Sequence, residues 1–390
     1  MIKLRNLFLL FLLGLTCCKK PYNPSVISST NNYLVVEGVI NPGSDSTVFI
    51  INETVKLNNS GAFNPVRGAT VSVEGENSGI YFLTDIYNNG HYNSISGLNI
   101  SSDQRYRLRI KTSEKEYLSD FVVVKTTPPI DSVGYNVKNG NVNLYVNTHD
   151  SKNSTRFYRW DYDETWQFHA KYESGFVLDP SSDNIVPRNA NQEVYHCFGN
   201  SFSSHIVLMS TEKLAQDVVS QEVLTQMPSS SEKVETRYSI LVRQYALTQD
   251  AFQFYQILQK NTEQLGSIFD AQPSQLTGNI HCVTNPSEPV VGYVTASTVQ
   301  QKRIFINHTD LPGDVQPIYP YDCEEDTAYY SQPKTGVNQV QNTLINPPID
   351  YIATGALYDG LGHIIGYLYS TVPCTTCTLR GTSQAPDWWY

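Results

Sequence analysis

The sequence predicts a mainly β protein: a small N-terminal sandwich followed by a larger β-rich domain carrying one or two helices. Three observations lead there. Only 16% of the 390 residues are charged while 12% are aromatic, with 26 Tyr, a balance that suits pleated, half-buried surfaces. Short β-branched and aromatic runs recur along the chain, separated by clusters of Gly, Asn and Ser. Two adjacent prolines, Pro128 and Pro129, remove ladder donors and impose extended backbone, which marks a domain boundary.

The chain opens with Lys3 and Arg5, an apolar run from Leu7 to Leu15, and then Thr16, Cys17 and Cys18. A basic start, an apolar stretch of about nine residues and a small-residue end form a secretory signal, too short to span a bilayer. Leu15-Thr-Cys-Cys18 resembles the lipobox at which bacterial lipoproteins are cleaved and acylated. Cys18 has Leu15 three residues before it, whereas Cys17 has Gly14 at that place. Cys18 is therefore the expected lipid acceptor and Cys17 the alternative. Several buried acyl chains anchor far more firmly than one. The expected organisation is a signal peptide over 1–17, a tether over 18–32, a sandwich module over 33–125, and a β-rich domain over 130–390.

After the polar tether, strands are expected at Tyr33 to Ile40, Thr47 to Ile51, Ala69 to Val73, Ile80 to Leu83, Tyr106 to Ile110 and Tyr117 to Val124. Ala69 to Val73 and Tyr106 to Ile110 alternate apolar with polar residues, so one face meets a core and the other meets water. Six or so strands in this length make an immunoglobulin-like or transthyretin-like sandwich. The run Gly68-Ala-x-Val-x-Val73 followed by a strand centred on Tyr92 resembles transthyretin-like and carboxypeptidase-regulatory-like modules, a likeness of fold alone.

Beyond the prolines, Ser132 to Val137 and Val142 to Asn147 read as strands, and so does the aromatic segment Arg156 to Phe168. Strand alternation puts Phe157, Arg159, Asp161 and Asp163 on one face and Tyr158, Trp160, Tyr162 and Glu164 on the other. The aromatic face, with Trp166, is the expected ligand- or partner-binding surface. Glu173 to Glu193 reads as a long exposed loop that adds to it. Asp161 and Asp163 admit calcium or pairing with Arg156 or Arg159. One helix, over 248–265, follows Thr248 as cap, with Ala251, Tyr255, Leu258 and Leu265 on one face and Gly266 as its stop.

Beyond the lipobox stand Cys197, Cys282, Cys323, Cys374 and Cys377. An oxidising compartment favours disulfides, and the odd count leaves one thiol over. Cys374-Thr-Thr-Cys377 lacks the second pair of ligands that zinc requires and the βαβ setting of a redox motif. One of its cysteines is expected to bridge Cys323. No metal and no cofactor is expected.

A net charge of −10 without clustered Lys and Arg excludes nucleic acid as partner. No two of the eight His stand at i, i+2 or i, i+4, and HExxH, GxSxG, P-loop and GxGxxG patterns do not occur. Two carboxylate groups, Asp161 with Asp163 and Asp322, Glu324, Glu325 with Asp326, have the residue types of a glycosidase pair. A solvated acidic loop beside a disulfide is the better account of the second. The reading is therefore non-enzymatic.

Several segments in order resemble one family: Tyr33-Leu-Val-Val-Glu-Gly38, the strand Arg156 to Phe168, Tyr238-Ser-Ile-Leu-Val242, Phe269-Asp-Ala-Gln-Pro-Ser274 with Gly278-Asn-Ile280, Lys302-Arg-Ile-Phe-Ile306, and Cys374-x-x-Cys377 with Pro386-Asp-Trp-Trp389. The chain resembles the Bacteroidota outer-membrane lipoproteins of domain-of-unknown-function family 4249. The resemblance implies a lipid-anchored outer-membrane protein that is a binding or accessory partner of a TonB-dependent transporter. It carries no catalytic residues. Alternatives are a structural or assembly lipoprotein of the envelope, or a carbohydrate- or peptide-processing enzyme. Lys19, Lys20 and Pro21 after Cys18 depart from the acidic residues that surface-exposed lipoproteins of these bacteria tend to carry there, leaving the periplasmic and cell-surface faces both open.

Overall fold

A computed structural model describes residues 32–55, 64–263, 276–346 and 350–390. The signal segment with Cys17 and Cys18, nearly all of the tether, and the expected helix stop at Gly266 lie outside the described residues.

The chain is mainly β. In the first sandwich, Leu34–Ile40 pairs antiparallel with Val48–Glu53 in one sheet. The facing sheet is built on Thr70–Gly75, paired with Ile80–Leu83 on one side and Tyr106–Lys111 on the other. The alternation read from sequence decides the packing. Val71 and Val73 lie opposite Ile110 and Leu108 on the core face. On the outer face Glu74 is clasped by Arg107 and Arg109, both at 2.8 Å. Tyr92 is buried, and its hydroxyl donates to the Val66 carbonyl (2.8 Å) while accepting from the Ala69 amide (3.0 Å). A buried phenol is tolerated because both of its hydrogen-bonding roles are met.

The expected division at 125 and 130 needs one correction. Residues 279–297 return to the first sandwich from the far end of the second. Ile280–Cys282 extends the sheet edge at Glu116–Ser119. Val291–Gly292 and Thr295–Ser297 run parallel to Leu34–Ile40, and the latter also pairs with Val124–Lys125. Ile280, Val290, Val294 and Ala296 share one core with Val36, Phe49 and Leu108. Buried Asn279 clasps the returning chain, donating to the Val294 carbonyl (2.9 Å) and accepting its amide (2.8 Å). Sequence proximity gave no sign of this, since parallel pairing needs a crossover and leaves no local turn signature.

In the second sandwich, Phe157–His169 is central. It pairs with Arg237–Ala246 on one side and with His196–Phe202 and Val207–Ser210 on the other; Val299–Asn307 forms the far edge. The opposing sheet is Ile130–Lys138, Asn141–His149 and Val218–Pro228. The two sandwiches are joined twice. The outgoing segment 126–129 and the returning segment around Thr298 lie side by side: the Thr127 amide donates to Thr298 Oγ1 (2.9 Å), and the Thr127 hydroxyl donates to the Thr298 carbonyl. Helix Gln249–Glu263 packs Ala251, Phe252, Phe254 and Tyr255 against Tyr245, Val39 and Tyr293, filling one end of the junction. The Thr248 hydroxyl accepts the Ala251 amide (3.3 Å), as its capping position required.

A third, smaller sheet comprises Asp326–Tyr329, Ile364–Thr371 and Tyr351–Tyr358. The expected loop 173–193 is partly a hairpin, Phe176–Asp179 with Asn184–Pro187, whose Phe176 and Ile185 pack on this sheet. Disulfide Cys197–Cys377 attaches this unit to the body, while Cys323–Cys374 ties the chain entering Asp326–Tyr329 to the chain leaving Ile364–Thr371. The CxxC cysteines thus take separate partners, Cys323 and Cys197. Cys282 is free and buried. The last residues lie across the edge of the central sheet, with the Arg303 guanidinium 3.5 Å above the Trp388 ring and Phe305 against Trp389.

Candidate functional site

Between the two sandwiches lies a cleft of about 880 Å³, within the range of small-ligand sites. Its first wall is the outer face of the sheet containing Leu34–Ile40. Because Leu34, Val36 and Ile40 point into the core, alternation turns Val35, Glu37 and Val39 outward. Val48 and Ile50 from the neighbouring strand complete an aliphatic surface around the single carboxylate of Glu37.

The second wall is the outward face of the central sheet. Antiparallel register sets Asp161 opposite Arg243 and Arg159 opposite Tyr245. The Arg243 side chain reaches Asp163 at 2.6 Å and Asp161 at 3.4 Å. The Arg159 guanidinium lies over the rings of Tyr245 (4.5 Å) and Tyr255 (4.9 Å) and reaches Asp161 at 3.4 Å. Burial opposes its charge, yet Tyr255, Asp161, Tyr245 and Glu37 more than offset this and hold it above the ordinary arginine range. Burial also pushes the Asp163 carboxyl above the usual carboxylate range against the pull of Arg243. Arg159 Nε and Arg243 Nη1 are buried and have no acceptor among the described residues. Phe202 stands 71% exposed beside the cleft, which Ser203 to Ile206 also line.

The aromatic residues expected to bind are committed to packing instead. Tyr158, Trp160 and Tyr162 belong to the core, 0, 1 and 3% exposed, and of the three only Trp160 borders the cleft. The Tyr158 hydroxyl donates to Asp217 (2.7 Å) and the Trp160 indole to Gln244 (2.8 Å). The face assignment stands, but its aromatic side is the one needed to close a two-sheet core, so the charged side is left for a ligand. Trp166 packs over Gly199, where a Cβ would come within 2.4 Å of the ring, and under Lys233. Asp161 and Asp163 are tied to arginines, and no cluster of three His, Cys, Asp or Glu among the described residues is arranged to hold a metal. Glu325 accepts from the Thr354 hydroxyl (2.6 Å) on the third sheet, and the acidic group at 322–326 does not line the cleft. Sequence reasoning missed Glu37 and Phe202. A lone carboxylate on the apolar face of Val35-x-Glu37-x-Val39 is the signal that marked the first; an exposed Phe on a strand end carries none.

Compared with protein-family models, residues 19–303 match the one described as Domain of unknown function (DUF4249). The chain belongs to this family. The match takes in the first sandwich, nearly all of the second and both walls of the cleft, and it ends within the strand Val299–Asn307, before the third sheet. No curated protein sequence matches the chain. Solved structures similar to it include that of manganese lipoxygenase of Gaeumannomyces graminis with part of zonadhesin of Komagataella pastoris (12% identity, 57% of this chain and 90% of that one, TM-score 0.17). Another is the Yersinia pseudotuberculosis adhesin InvE (13% identity, 56% of each chain, TM-score 0.15). At such scores neither likeness carries any argument about this DUF4249 member.

Proposed function

We propose that this DUF4249 protein is a non-enzymatic lipoprotein of the outer membrane, anchored through Cys18, that holds a ligand in the cleft between its sandwiches as the binding partner of a TonB-dependent transporter. The observation that carries the reading is the cleft itself: an aliphatic wall facing a wall of fixed charge pairs, the mixture of apolar lining and placed polar groups by which ligand sites are known. The lipobox supplies the anchor, and the family resemblance supplies the transporter. Asp161 and Asp163 hold arginines between them instead of flanking open space, an arrangement suited to a rigid binding wall more than to proton transfer.

Two measurements test it. Full-length protein extracted in mild detergent is expected to co-purify with a stoichiometric transporter, and recovery alone would remove the partnership. A thermal-shift panel of oligosaccharides and short peptides is expected to contain stabilising compounds whose effect disappears when the exposed cleft residue Ser46 is changed to Trp. A shift that persists in Ser46→Trp would move the ligand out of the cleft.

A further inference from the structure

The two walls of the cleft differ in which charges are already spent. On the central-sheet wall, Asp161 and Asp163 are bound by Arg159 and Arg243 at 2.6–3.4 Å. At the rim, Asp45 accepts from Gln301 Nε2 at 3.3 Å. Glu37 alone projects, exposed, from the middle of an aliphatic face, and among the described residues nothing donates to it. Arg159 senses its charge, but that guanidinium is held between two tyrosine rings and paired with Asp161.

The surroundings of Glu37 are specific. It lies opposite Ile50, and Val39 lies opposite Val48 on the same face; Val35 flanks it along its own strand. A hydrocarbon stem ending in a cation fits that surface, with methylenes on the valines and the charge on the carboxylate. We propose that the cleft takes an extended peptide segment and seats a lysine or arginine of that segment on Glu37, an assignment that rests on the cleft being the ligand site. An extended segment turns successive side chains to opposite walls, so residues on either side of the basic one face the arginine–aspartate pairs. Four carboxylates against two guanidiniums line the space, which disfavours acidic or phosphorylated ligands.

The test uses full-length protein in detergent and three pools of acetylated, amidated hexapeptides, randomised at five positions and fixed at one as lysine, norleucine or glutamate. Peptides retained by the protein are quantified by mass spectrometry. The lysine pool is expected to be retained about fivefold to tenfold over the norleucine pool, and the glutamate pool least. Glu37→Gln, which changes an exposed side chain without loss of volume, is expected to abolish the lysine preference and leave the melting temperature unchanged. Equal retention of the lysine and norleucine pools overturns the proposal, as does a lysine preference that survives Glu37→Gln. If oligosaccharides bind and Ser46→Trp blocks them while no peptide pool is retained, the cleft stands as the ligand site and the peptide assignment falls. If lysine peptides bind equally to wild type, Ser46→Trp and Glu37→Gln, the cleft reading falls with it.

Discussion

Replacing Arg243 with Met retains most of the side-chain volume but removes the guanidinium that joins Asp161 to Asp163. The three side chains are 24–28% exposed. Removing one member of a buried pair costs about 3–5 kcal/mol, and an exposed pair contributes about 0–1 kcal/mol. At this burial the expected loss is about 2–3 kcal/mol near pH 7.5. Its pH dependence is the sharper test. Burial already raises the folded-state pKa of Asp163, and Arg243 is the strongest pull downward. In the variant the folded value climbs further, while the unfolded value stays where it is. A raised folded pKa means that the native state takes up the proton more readily, so the penalty is full above that pKa and is relieved as pH falls through it. The loss relative to wild type should therefore shrink on going from pH 7.5 to 5, by about 1.4 kcal/mol for each unit by which the variant's folded value lies above both the wild-type value and the pH of measurement. Urea unfolding followed by tryptophan fluorescence, with unchanged denaturant slope, measures both quantities. A loss below about 0.5 kcal/mol, or one that fails to shrink on acidification, would refute the electrostatic account of this wall.

Trp160→Ala should cost about 3–5 kcal/mol of unfolding free energy, because it empties a core position 1% exposed and removes the indole donor to Gln244 Oε1. Phe202→Ala should change stability by less than about 0.5 kcal/mol, yet weaken retention of the hexapeptide pools. Changing Cys197 and Cys377 together to Ser opens a cross-link spanning 180 residues; chain entropy sets an upper limit of about 5 kcal/mol on the loss, read as a lower calorimetric midpoint under non-reducing conditions. Cys18→Ala should release the protein from membranes and abolish palmitate labelling while Cys17→Ala does neither, and release by the Cys17 change alone would reverse the assignment.

Element type was legible wherever burial imposed a period. Val71 and Val73 against Leu108 and Ile110, the alternation of Phe157–His169, and the Thr248-capped helix all followed from spacing that one core face enforces. The same alternation separated the two faces of the central strand correctly, but it does not say which face another sheet will cover. Tyr158, Trp160 and Tyr162 looked like a binding surface because the opposing sheet, from 130–149 and 218–228, is specified by segments that carry no mark of their destination. Chain return was illegible for a related reason. Val291–Gly292 and Thr295–Ser297 are very short, and pairing supplied by Leu34–Ile40 from some 250 residues earlier overrides weak local propensity. Glu37 lay in a strand that was recognised, but its importance depends on what faces it, and that is set by the helix and the double junction.

The asparagine-clasped return has a consequence in time. The segment that completes the sheet edge beside Glu116–Ser119 and the parallel neighbour of Leu34–Ile40 leaves the ribosome roughly 155 residues after Val124, an interval of about 8–30 s at ordinary synthesis rates. Throughout that interval the N-terminal sheets carry open edges and an unfilled core position for Ile280, Val290, Val294 and Ala296. This first-made part of the protein is therefore among the last to be finished. Until residue 297 arrives, those open edges remain available for pairing with other chains.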